Sequence, residues 1–187
     1  MSLPRRKWFR MQPPSDLHGV GHISRVMVWA SVLATDTEWF DRVMWAAACH
    51  DLRREDDGND PDHGFRAGRF VRTVLPKLLK QPMAGIEEIA SACDWHVCRD
   101  DDSEWDHPVL WLLKDADGLD RVRLYDLDER YLRSDLAREL VPRAKRLLER
   151  TEFEDDAGRI WERAEQVGVP MEKLREFVAR AEGLLSE

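Results

Sequence analysis

Apolar residues recur along this chain at helical spacing. Val26, Trp29, Ala30 and Leu33 make one stripe and predict a helix from about His22 to Ala34. The run Val43-Met44-Trp45-Ala46-Ala47-Ala48-Cys49 predicts a second helix, capped by Thr37 and reaching His50. A loop, 53–62, follows; it is too polar to bury. A third helix starts near His63 or Gly64 and carries Phe65, Phe70, Val71, Val74 and Leu75, with Pro76 expected to end or kink it. A fourth runs from about Gly85 to Val97, with Ile86, Ile89, Cys93 and His96 on one side. After the acidic loop 99–106 a fifth begins near Pro108 and continues past Leu119. Two or three more fill 134–185, with interruptions expected at Pro142 and at Gly168-Val169-Pro170. No segment alternates over strand length, so the expected fold class is all-α.

Composition narrows this little. A chain of 187 residues with 43% hydrophobic and 35% charged residues is expected to form one globular domain spanning 1–187. No stretch is long and apolar enough for a membrane span, and no signal core follows the basic N-terminus. Three cysteines, Cys49, Cys93 and Cys98, are odd in number and lack CxxC spacing, which points to reduced thiols and a cytoplasmic location. A net charge of −8 argues against extended binding to nucleic acid but leaves room for a small phosphorylated substrate.

The chemistry concentrates in the doublet His50-Asp51, at the end of the second apolar run. A neutral imidazole and a carboxylate both suit a divalent metal, and both are costly to bury without a partner. His22 lies on the stripe of Val26 and Trp29, where it is either a metal ligand or a histidine bonded to a backbone carbonyl. Asp117 follows Leu110 and Leu113, with Arg121 as an alternative partner. Periodicity does not choose between Asp115 and Asp117. His18 and His22 have the spacing of zinc-protease ligands, but Gly19 stands where those sites carry Glu. Phosphate-loop, serine-elbow and CxxC motifs are missing, so phosphate recognition would fall to a metal and to nearby bases such as Arg25, Arg53, Arg54 and Lys114.

Taken together, His22 within His18-Gly19-Val20-Gly21-His22, then His50-Asp51, then Lys114-Asp115-Ala116-Asp117-Gly118-Leu119 resemble the HD superfamily of metal-dependent phosphohydrolases. The likeness covers about 16–123 and implies an HD-type helical bundle; it gives no role to the C-terminal helical extension 134–187, for which covering the pocket and forming a homodimer contact are both open. It implies His22, His50, Asp51 and Asp117 as metal ligands, with Asp115 beside them. The loop through Arg54, Asp57, Asp60 and Pro61-Asp62-His63-Gly64 is similar to a subgroup of that superfamily. There His63 and His96 contact phosphate or bind a second metal. His63 follows the doublet closely, which favours one ion (Mn²⁺, Mg²⁺ or Fe²⁺) over two.

The implied activity is hydrolysis of a nucleotide or other small phosphate ester by a metal-activated water, with Asp51 or Asp57 accepting or orienting its proton. His18, Arg25, Arg53, Arg54, His63, His96 and Lys114 would hold the substrate or buttress the ligands. Two alternatives share the scaffold: a di-iron oxygenase, and a non-catalytic nucleotide-binding or signalling module.

Overall fold

The computed structural model describes residues 3–186. Among them the chain forms nine α-helices and short 3-10 turns, and none forms a strand. The helices are α1 (Val20–Leu33), α2 (Phe40–Cys49), α3 (His63–Thr73), α4 (Leu75–Leu79), α5 (Ile86–Trp95), α6 (Pro108–Asp120), α7 (Asp135–Thr151), α8 (Ala157–Gln166) and α9 (Glu172–Ser186). The class is all-α, as the periodicity predicts. No helix among the described residues is long and apolar enough to cross a membrane.

The core forms around α1, in which every residue but Val32 is buried. It packs against α2, α6 and α8, while α2 also packs on α5 and α6. An all-round buried helix explains why its apolar stripe is broad and why polar residues inside it, His22, Ser24 and Arg25, need partners. Trp29, Met27, Met44, Leu113 and Phe177 are among the side chains that fill the centre, each stabilising the fold by about 1.5–3 kcal/mol through burial.

Glycine decides how closely two pairs of segments approach. A side chain at Gly64 would meet the Cys93 carbonyl oxygen at 2.6 Å, and one at Gly68 would meet the Ala90 oxygen at 2.8 Å and collide with Asp94. Their spacing puts both on one face of α3, so α3 and α5 pack backbone to backbone. Gly21 does the same for α1, where a Cβ would meet the Glu154 carbonyl oxygen at 2.6 Å.

Several expected boundaries shift. Val20 opens α1 two residues earlier than its stripe implies. Thr37 is not the cap of α2; Trp39 occupies that position without a side-chain bond, and the Thr37 hydroxyl donates to the Ala34 carbonyl. α3 ends at Thr73, just before Pro76 as expected, and Pro76 lies in the first turn of α4, where a missing N–H is tolerated. Pro142 does not interrupt α7 and lies on its exposed face. Gly168, at φ 82°, does separate α8 from α9. All three cysteines are free thiols, and burial pushes those of Cys49 and Cys93 up.

Candidate metal centre

Three local arrangements aim imidazoles at one point. His50 follows α2 and its Nδ1 donates to the Ala47 carbonyl at 2.9 Å. His96 follows α5 and its Nδ1 donates to the Cys93 carbonyl at 2.7 Å. His63 opens α3, and its Nδ1 donates to the Asp60 carbonyl. In each case the acceptor is the residue three positions earlier. A carbonyl only accepts, so each ring keeps its hydrogen on Nδ1 and turns a bare Nε2 lone pair away from its own backbone. His22, on α1, reaches the same state differently: its Nδ1 donates to Asp120 Oδ2 at 2.8 Å, and Asp120 in turn takes Arg25 Nε at 2.6 Å.

The four Nε2 atoms converge in two pairs. His22 and His50 face each other at 3.2 Å, and His63 and His96 at 3.1 Å. Asp51 lies between the pairs. Its Oδ2 is 3.5 Å from His22 Nε2, and its Oδ1 is 2.9 Å from His63 Nε2 and 3.5 Å from His96 Nε2. Asp117 Oδ1 closes the first pair, 3.4 Å from His22 and 3.8 Å from His50. Every inward atom of this set is an acceptor. Lone pairs at such distances repel unless a proton or a metal ion stands among them, and neutral imidazole with carboxylate is the donor set of a divalent ion. These buried groups can therefore hold a metal ion.

Without an ion, a proton on His22 eases that repulsion, whereas His50 stays neutral. Burial holds the His50 imidazole down to about 3, despite the pull of Asp51 and Asp117, so it stays neutral. For His22, burial and the nearby Arg123 oppose protonation, but Asp120 and Asp51 outweigh them and raise its pKa. Burial alone would raise the Asp51 carboxyl, yet His50 and the bonded His18, His22 and His63 hold it well below the usual carboxylate range. Asp117 is likewise lowered against burial, by His22 and His50.

The cluster opens onto a cavity of about 710 Å³ lined in part by His18, Arg54, Asp57, Phe65, Trp95, Arg121 and Arg123. Asp117, with 31% of its side chain exposed, is the group of the cluster most open to it. His18 Nδ1 bonds Asp51 Oδ2 at 2.9 Å. Arg54 lies 3.3 Å from the His63 ring and 3.8 Å from Asp51 Oδ1, braced by the Gly58 carbonyl. Asp57 is exposed on the cavity wall and accepts a bond from the Ser15 hydroxyl.

Other expected site residues lie elsewhere. Arg25 is buried, holding Asp120 and the Thr151 carbonyl, and presents no group to a substrate. Arg53 donates to the Trp8 carbonyl and covers the Phe70 ring. Lys114 is committed to the Cys98 carbonyl and Asp100. Asp115 does not buttress the centre; it receives the Arg133 and Ser134 amides and the Ser134 hydroxyl, anchoring the entry to α7. Arg121 pairs with Asp126 rather than Asp117. The loop turns back on itself at Asp60 and brings His63 Nε2 to 2.9 Å from Asp51 Oδ1.

Asp120 and Arg123 were not anticipated. Asp120 had a signal, since it falls one helical turn past the buried Ala116 on α6. Arg123 lies in a 3-10 turn whose course no periodicity predicts; its guanidinium reaches His18 at 3.2 Å and Asp120 at 3.5 Å. Comparison with protein-family models, curated proteins and solved structures finds no match for the chain.

Proposed function

We propose that this chain is a metal-dependent phosphohydrolase of the HD type, acting on a small phosphate ester. The observation that carries this reading is the inward set of four bare Nε2 atoms around Asp51, beside an open cavity. His22, His50, Asp51 and Asp117 would hold one ion; His63, His96 and the second oxygen of Asp51 would hold another. When bound, ions of the Mn²⁺, Mg²⁺ or Fe²⁺ class polarise a phosphoryl oxygen and lower the pKa of a bound water.

The remaining work falls to the chain. Asp120 and the three backbone carbonyls keep the rings in the ligating tautomer, the support on which metal sites depend. Asp51 has both oxygens turned to imidazoles, which suits it to bridging. Proton acceptance from water then passes to Asp57 on the cavity wall. Arg54 and Arg123 face the cavity beside the cluster and would balance charge on the phosphoryl oxygens.

The test is a metal-supplemented screen of phosphate esters beside the Asp51→Ala variant. Hydrolysis by the parent and none by the variant, with its metal lost, is expected. Full hydrolysis by Asp51→Ala would overturn the reading.

One observation favours a second reading, a di-iron oxygenase: His63 and His96 stand against Asp51 as ligands rather than at a distance from it. Two irons per chain with activity that requires dioxygen would select it; a manganese or magnesium enzyme that works without oxygen would exclude it.

A further inference from the structure

The far side of α6 takes no part in the metal centre. Trp111 and Asp115, four residues apart, share the helix face turned away from Asp117. A cleft of about 580 Å³ lies there, between α6 and the turn that leads into α2, with Asp36, Glu38, Trp39 and Trp111 on its walls. A smaller cleft of about 320 Å³, lined by Trp105 and Asp106, adjoins it across Trp111 and Arg133. Neither cleft touches His22, His50, Asp51 or Asp117.

These walls combine indole surface with spare negative charge. Trp111 is 49% exposed, and among the described residues no ring or cation stacks on it. Its neighbour Trp39 already carries a cation, the Arg42 guanidinium 5.1 Å from the ring centroid. Arg42 donates to the Glu38 carbonyl and pairs with Glu88, so it leaves the Glu38 carboxylate free. Asp36, Glu38 and Asp106 are all exposed and have no ion-pair partner among the described residues. Arg133, the base that lines both clefts, is held by Asp100 and Asp115. Both clefts are therefore anionic.

That chemistry selects a ligand. Anions are repelled. Asp36, Glu38 and Asp115 do not converge closely enough to hold a metal ion. A neutral apolar group would strip water from carboxylates and give them nothing in return. An organic cation satisfies both features, since it attracts an indole face and pairs with a carboxylate. Because acidic clefts lie on either side of one ring, the best fit has two charges joined by an alkyl stem that lies across Trp111.

We infer that the two clefts bind an aliphatic polycation, either a free polyamine or the paired basic side chains of a protein partner. The site is remote from the metal ligands, so it stands or falls independently of the hydrolase reading.

Calorimetric titration of the full chain with spermidine, and with a blocked lysine-alanine-lysine peptide, tests this. Saturable binding of at least one probe is expected, and the tighter of the two identifies the source of the cation. Trp111→Ala should weaken binding about three- to thirtyfold, with Trp111→Phe retaining part of it. The double variant Asp36→Asn, Glu38→Gln should weaken it about threefold or more. Glu149→Gln removes an exposed charge about 20 Å along α7 from Ser134 and should change nothing. Fully acetylated spermidine, which carries no charge, should not compete. Absence of binding by both probes at millimolar concentration would overturn the inference. So would an affinity that neither Trp111 variant alters, which would mark general attraction to an acidic protein.

Discussion

His63 Nε2 lies 3.1 Å from His96 Nε2 although 33 residues separate them in the chain. The pair exists because α3 and α5 touch through Gly64 and Gly68, and because each ring hangs from a carbonyl at the start or end of its helix. With the hydrogens on Nδ1, both Nε2 atoms face Asp51 Oδ1 as acceptors, beside the Arg54 guanidinium 3.3 Å from His63 Nε2, so the pair could share a cation with that carboxylate.

Protein purified without chelator should therefore carry two ions per chain, and His96→Ala one. Saturation at about 100 times the dissociation constant adds about 2.7 kcal/mol of stability for each ion. For a chain of this size that corresponds to a Tm increase of about 5–10 °C per ion bound. Elemental analysis and thermal scans with and without chelator check both; a parent protein holding a single ion would contradict the paired arrangement.

Gly68→Ala should separate the second ion from the first. The added methyl collides with Asp94 and sits 2.8 Å from the Ala90 carbonyl, so α3 must move off α5. Overpacking of this kind costs about 1–3 kcal/mol. Metal content should fall toward one ion, with His22, His50 and Asp117 still loaded. An unaltered metal content in a folded Gly68→Ala protein would show that the seam does not govern the pair.

Asp120→Asn should act on both stability and metal binding. It leaves Arg25 buried without its anion, a change worth about 3–5 kcal/mol. The amide that replaces the carboxylate also loosens the hold on His22, and lost support of this kind weakens metal affinity about 10–100-fold. Urea unfolding and metal titration give the two readouts separately.

The pH dependence of the metal-free protein follows from His50. Its folded pKa of about 3 lies below the ordinary 6.5, so between these values the unfolded chain binds the extra proton. Stability contributed by the neutral ring is complete above 6.5 and falls by about 1.4 kcal/mol per pH unit as pH drops toward 3. Asp51, lowered from 3.8, adds a loss in the same direction at the acid end. His22, raised above 6.5, works oppositely: its contribution is present below 6.5 and is lost as pH rises through its folded pKa. Urea unfolding between pH 4 and 6.5 should give a positive slope that His50→Gln flattens.

Much of the scaffold was legible because α1, α2, α5 and α6 carry apolar residues at helical spacing. The exceptions have local causes. Pro142 stays within α7 on its exposed face, and Thr37 yields the cap of α2 by bonding backward to Ala34. At the centre, His22, His50, Asp51 and Asp117 were readable as polar residues at the ends or on the faces of apolar helices. Of the basic residues Arg54 was readable, while Arg25, Arg53 and Lys114 were not. Arg25 is one turn from His22, yet it turns to Asp120; proximity in sequence does not report which way a long side chain leaves its helix. His63 is named among the site residues from the sequence, but its contact with Asp51 depends on a loop bend rather than on a repeat.

Three of the four imidazoles owe their orientation to a carbonyl only one turn upstream. That arrangement belongs to a four-residue stretch and needs no distant partner. Ring presentation is thus set locally, and tertiary packing decides only where the presented nitrogens meet. A substitution that leaves such a stretch intact shifts where a donor sits, whereas one that disturbs it also changes which nitrogen is offered.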